Sequence, residues 1–325
     1  MAGHISTFRK YAWFVLVYTL LVILWGAYVR ATGSGAGCGG HWPLCNGQVV
    51  PRSPTAQTLI EYTHRLTSGL SPLLVGWLVL RAFRVFPRGH RARRFAVLSA
   101  IFLVVEALLG AGLIWLGYVA HDASIGRAFY MPAHLTNTLL LLTMIALAAW
   151  SARESVPPLR LRGRPKVLLA AAPVALLVYV TGALAALGDT LYPAASLEAG
   201  IRQELDASAS VLLRLRMLHP AVALGVGAFL LMVALSALKS RPTPLVRRHA
   251  IGVMGMVFVQ LIAGAVNIAL LAPVWLQIVH LLLADLLWIA LVILLAEAFA
   301  DRPSLKDRLA RESLAPPTRA GTSPS

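Results

Sequence analysis

Long apolar runs separated by short polar stretches set the architecture of this chain. Eight runs of about 20 residues carry little charge, at 11–29, 63–86, 95–118, 129–150, 167–187, 212–238, 250–271 and 275–298. Each is long enough to cross about 30 Å of hydrocarbon as an α-helix. Backbone polar groups inside a bilayer must be satisfied within the segment, so runs of this length predict helices. The pattern predicts an all-α polytopic membrane protein with eight transmembrane helices. Arg9 and Lys10 precede the first run as they would in a secretory signal, but the run is long for that role and has a counterpart later in the chain.

That counterpart belongs to a repeat. The last four runs echo the first four at an offset near 155: "EALLGAG" (106–112) falls on "QLIAGAV" (260–266), His64 on His219, and "HLTN" from His134 resembles "HLLLAD" from His280. Four spans per half is an even number, so the halves enter the membrane in the same direction, related by an axis along the membrane normal. Two pseudo-symmetric four-helix bundles follow, at 1–151 and 167–300, joined by a basic, proline-containing linker at 152–166 and followed by a tail at 301–325 expected to be disordered. Gly110, Gly112, Gly225, Gly227, Gly252, Gly255 and Gly264 are expected to let helices approach closely.

Composition confirms the class and charge orients it. Hydrophobic residues make up 58% and charged residues 13%, too apolar for an ordinary soluble globule. A net charge of +16 would suggest nucleic acid in a soluble protein. Here most of the 29 basic residues fall in alternate loops, including "RGHRARR" (88–94), so they act as topology anchors and no nucleic-acid partner is expected. The same bias places both termini in the cytoplasm.

Candidate chemistry lies in four histidines. His64, His134, His219 and His280 fall near the starts of the second, fourth, sixth and eighth spans, all of which begin at the outer face, so they share one depth. An ionisable side chain within a membrane marks a functional site by default. Two histidines facing each other from separate helices can hold a heme iron by both axial positions, which predicts two sites, His64 with His134 and His219 with His280. Zinc would want further ligands, and "EYTH" supplies only Glu61 and His64. Glu61 has no acidic counterpart in the second half, where Arg216 stands instead. Either this carboxylate works on a heme in one half only, or it pairs with Arg65 or caps the helix. Arg30, Arg65, Arg214 and Arg216 run against the charge bias, as grips for heme propionates or as side chains reaching the headgroups. Glu106, Asn137, Gln260, Asn267, Asp285 and Glu297 are intramembrane polar residues without an assigned role.

With "GAYVRATGSGAGCGGHWPLCNG", "IEYTHRLTSG" and the later histidines, the chain from about 11 to 298 resembles the heme A synthases, in the form with two cysteines in the first outer loop. The resemblance implies a cell-membrane oxidoreductase that converts the C8 methyl of heme O to the formyl group of heme A by successive hydroxylation, for terminal oxidases. It implies His64 and His134 around the substrate heme, His219 and His280 around a heme b, a catalytic Glu61, and a Cys38–Cys45 disulfide over the first site. Expected partners are the heme O-forming synthase, the cytochrome oxidase assembly machinery, membrane lipid and an electron acceptor of unspecified kind; a homo-oligomer is compatible with all of this. Two other functions fit parts of the pattern: a di-heme b-type electron carrier, and a transporter suggested by the repeat alone.

Overall fold

The computed structural model describes residues 2–154, 156–206 and 209–301; the expected tail lies outside these residues beyond Asp301. Among them the fold is all-helical: α1 (Ala2–Ala31), α2 (Ala56–Val85), α3 (Arg91–Trp115), α4 (Ile125–Trp150), α5 (Lys166–Leu191), α6 (Leu197–Leu205), α7 (Val211–Ser240), α8 (Pro244–Ala269) and α9 (Val274–Phe299), with a 3-10 turn at Ser34–Ala36. All but α6 are long and apolar enough to cross a membrane. At 1.5 Å per residue they reach about 38–45 Å, longer than the hydrocarbon they must cross.

Much of the extra length lies at the helix starts. Thr55, Ser124, Ser210 and Thr243 accept the backbone N–H of Thr58, Arg127, Leu213 and Val246, capping α2, α4, α7 and α8. Three of these helices begin several residues before the apolar run: α2 at 56 rather than 63, α4 at 125 rather than 129 and α8 at 244 rather than 250. His90 caps α3 through Nδ1 and stacks on Phe86 with ring centroids 4.3 Å apart. Burial, then the neighbouring Arg91 and Arg93, hold its pKa below the usual range, which keeps Nδ1 an acceptor. The short helix α6 was not among the predicted spans. Ser196 caps it, and Leu197, Ile201 and Leu205 make an exposed apolar stripe at four-residue spacing.

Two apolar clusters fill the interior. One joins Phe8, Val15 and Leu16 of α1, Val75 and Leu78 of α2, Ala92 and Ala96 of α3, and Leu142 and Ile145 of α4. The other joins Leu168 and Ala175 of α5, Leu230 and Val233 of α7, Val246 and Val253 of α8, and Leu291 and Leu294 of α9. Exchange occurs at the seam: Ile289, Ile293 and Ala296 of α9 enter the first cluster and Leu139 of α4 the second. Trp288 Nε1 donates across it to the Leu139 carbonyl at 3.0 Å and to Thr143 at 2.9 Å.

Both clusters lie toward one end of the molecule, near the N-terminus and the 151–165 connection. There the connection is tied to the end of α9: Arg160 N–H donates to Phe299 O and Asp301 N–H to Pro158 O, with a bridge between Leu159 and Ala300. Glu297, buried in α9, accepts from Trp150 Nε1 at 2.9 Å and from Arg153 at 3.0 Å. At the other end, Cys38 and Cys45 form a disulfide. Of the glycines expected at helix contacts, a Cβ at Gly112, Gly227 or Gly264 would meet a neighbouring helix, whereas Gly110, Gly225, Gly252 and Gly255 face open space.

Candidate functional site

The four histidines stand at the disulfide end, beyond the two apolar clusters. His64 lies eight residues into α2, His134 nine into α4, His219 eight into α7 and His280 six into α9. These positions correspond to about 9–14 Å from each helix start. His64 is within electrostatic range of His134, and His219 of His280, so the histidines form one pair per half.

Each ring has a specific seat. A Cβ placed on Gly26 of α1 would lie 2.9 Å from His64 Cε1, and one on Gly182 of α5 would lie 3.1 Å from His219 Cε1. The two contacts recur at nearly the repeat offset. Gly264 of α8 similarly faces His280 at 3.1 Å. His134 instead meets Glu106 of α3, with Nδ1 3.3 Å from Oε1. His219 Nδ1 lies 3.1 Å from Thr181 Oγ1, and Gln260 Nε2 lies 3.3 Å from His280 Nε2. The Nδ1 atoms of His64, His134 and His280 are buried and lack a hydrogen bond of good geometry. Half-buried imidazoles, three of them with an Nδ1 short of a good hydrogen bond and three seated against glycines where a larger residue would displace them, fit ligands for a metal held between helices. Among the described residues no three of His, Cys, Asp and Glu converge on one point. Paired histidines on facing helices fit the two axial positions of a heme iron; a tetrahedral zinc site would want further ligands.

Glu61 is 3% exposed and bound on both oxygens. Its Oε2 accepts the Cys38 backbone N–H at 2.8 Å, and Oε1 accepts from Arg65 Nε at 3.0 Å and Nη2 at 2.5 Å. Arg65 Nη1 also donates to the His41 and Leu44 carbonyls at 2.7 and 2.6 Å, both inside the disulfide ring. Thr58 donates to Gly37 O at 2.9 Å, and a side chain at Gly37 would strike the Gln57 backbone. Trp42 packs edge-on against Trp115 at the end of α3. Loop, α2 and carboxylate thus form one rigid unit beside His64.

A family model described as cytochrome oxidase assembly protein matches residues 9–292. The chain belongs to that family. A protoheme IX farnesyltransferase of Thermus thermophilus is 48% identical over 296 residues, covering 90% of this chain and 48% of that protein. Heme A synthases of Bacillus cereus and Bacillus anthracis are 45% identical over 97 residues, covering 30% of this chain and 31% of theirs. The chain spans about half the length of the Thermus relative it matches.

In this member of the cytochrome oxidase assembly family, the arginines at the disulfide end are bound to the protein. Arg30 of α1 donates to Ala186 O and Thr190 of α5, each at 2.6 Å, and to Gln277 of α9 at 3.0 Å, fastening the two halves together. Arg216 binds Glu204 at 2.6 Å, Asp189 at 3.2 Å and Tyr192 O at 3.3 Å. Arg214 lies beside Glu204, Leu205 and Asp206 along one cleft. Three site residues were not singled out from sequence. Gly26 and Gly182 carry no signal beyond lying one repeat apart. Arg127, 3% exposed and bonded to the Ala120 and Asp122 carbonyls at 2.8 Å, was visible only as another basic residue beside a predicted span start.

Proposed function

We propose that this chain is a heme A synthase: it oxidises the C8 methyl group of heme O to a formyl group, with the substrate heme between His64 and His134 and a heme b between His219 and His280. The observation that carries this reading is the two histidine pairs at one level, each in its own half, with a buried carboxylate beside only one of them. Two halves form the working units, 1–151 for the substrate and 167–300 for heme b, and the disulfide end faces outward by the distribution of basic residues.

Heme b supplies one-electron transfer when bound. The protein's own residues do the rest. The histidines would hold the hemes between helices, and the disulfide-braced loop limits water at the first site. Glu61, held by Arg65 and the Cys38 N–H, is placed to orient a water or take up a proton as the methyl carbon is oxidised. The arginines supply positive potential for propionates; a guanidinium has five N–H donors, and the bonds to protein acceptors use only some of them. The farnesyltransferase name of the Thermus relative supports a heme O-forming enzyme as the partner that delivers substrate.

Extraction of pigments from the purified chain tests the reading: heme b together with heme O or heme A is expected. Heme b alone would favour the electron carrier instead. A second expectation concerns the glycine seats. Gly26→Val is expected to cut occupancy of the first site at least several-fold with helix content unchanged, because the added branch must displace His64. A full heme complement in that variant, measured by absorbance per protein, would remove the steric role.

A further inference from the structure

The residues that touch His134 and His280 from the preceding helix differ in charge. Glu106 and Gln260 occupy matching positions of the repeat, on α3 and α8, and each reaches the histidine of the next membrane-spanning helix. Glu106 is fixed at both oxygens: Asn137 Nδ2 donates to Oε2 at 2.6 Å, and Thr138 Oγ1 bridges Oε1 at 2.5 Å and His134 O at 3.0 Å. Asn137 is itself tied to Phe102 O at 2.9 Å. Glu106 thus has no freedom to turn from the imidazole. Gln260 offers an amide nitrogen, 3.3 Å from the His280 ring and 3.2 Å from His280 O.

We propose that Glu106 is a positioning residue that makes the two sites electronically unequal. Its carboxylate faces His134 Nδ1 at 3.3 Å, which would leave Nε2 for the iron and put a negative charge behind that ligand. The second site has only a neutral amide at the matching repeat position, where it meets the other ring nitrogen, Nε2 of His280. A carboxylate behind a ligating histidine fixes its tautomer and raises its basicity as a ligand. A more basic ligand favours the ferric state, so the first site holds the more easily oxidised iron, and electrons pass from it toward the second site. The proposal rests on the reading of the histidine pairs as heme ligands.

It predicts more than a structural tie between α3 and α4 would. Glu106→Gln keeps the shape and removes the charge, and Gln260→Glu adds the charge to the other half. In the purified full-length chain, redox titration and the low-spin ferric electron paramagnetic resonance spectrum are measured for each heme. Glu106→Gln is expected to raise the reduction potential of the first-site heme and shift its ferric signal toward that of the second, leaving the second unchanged. Gln260→Glu is expected to lower the potential of the second site. A first site that stays loaded in Glu106→Gln with unchanged potential and spectrum overturns the proposal. If that variant does not accumulate, an unshifted second site in Gln260→Glu does so instead. His134→Ala separates the two levels of argument: if it leaves both heme signals intact, the ligand assignment itself falls, whatever Glu106 does.

Discussion

His219→Ala is expected to strip heme b from the purified protein, while His64→Ala keeps heme b and produces no heme A. The expectation follows from how separately the two pairs are built. His64 rests on Gly26 and His219 on Gly182, so each ring is seated by helices of its own half. None of the four histidines belongs to the apolar clusters that hold the helices together. Both variants should therefore fold and accumulate, and a pigment lost from one half should leave the other loaded. Reduced-minus-oxidised spectra and extracted heme, compared per mole of protein, give the answer. Identical spectra from the two variants would end the division of labour between the halves.

The second large effect is expected at Glu61. Glu61→Gln should lower heme A formation in membranes by about 100-fold or more, the range for removal of a positioned acid–base group, while both hemes still bind. The amide fits the same space but loses the charge that Arg65 grips. Arg65→Ala should be worse for the fold. It leaves a buried carboxylate without its cation, a change that costs about 3–5 kcal/mol in comparable buried pairs, and it frees the loop carbonyls of His41 and Leu44. Unchanged heme A output from Glu61→Gln would reduce the carboxylate to a loop fastener, a role its Arg65 and Cys38 contacts could fill alone.

Much of the fold is legible in sequence because a bilayer leaves so few choices. The eight spans follow from length and apolarity, and the four histidines stand out because an imidazole among leucines needs a reason. Helix starts were less legible. Residues 56–62 mix polar side chains with Leu59 and Ile60, and a capped helix extends beyond the hydrocarbon without changing the hydropathy pattern. Helix α6 is too short for that pattern, although Ser196, Glu198 and the Leu197, Ile201, Leu205 spacing mark it once a short helix is sought. The arginines divide in the same way. The Glu61–Arg65 pair is four residues apart on one helix, a spacing that sequence alone reads as an ion pair. The contacts of Arg30 with Thr190 and Gln277, or of Arg216 with Asp189, join residues distant in the chain and have no local signature. Asp285 is fully buried and neither of its oxygens is hydrogen-bonded.

The sharing of α9 between the two clusters bears on the order in which the protein can be made. Ile289, Ile293 and Ala296 complete the core of the first four helices, and the 151–165 connection finds its backbone partners at Phe299 and Asp301. These residues leave the ribosome well after helices α1–α4 are complete. Until they arrive, helices α1–α4 carry an unfinished seam that lipid or a chaperone must cover, so α9 closes the first half as well as its own.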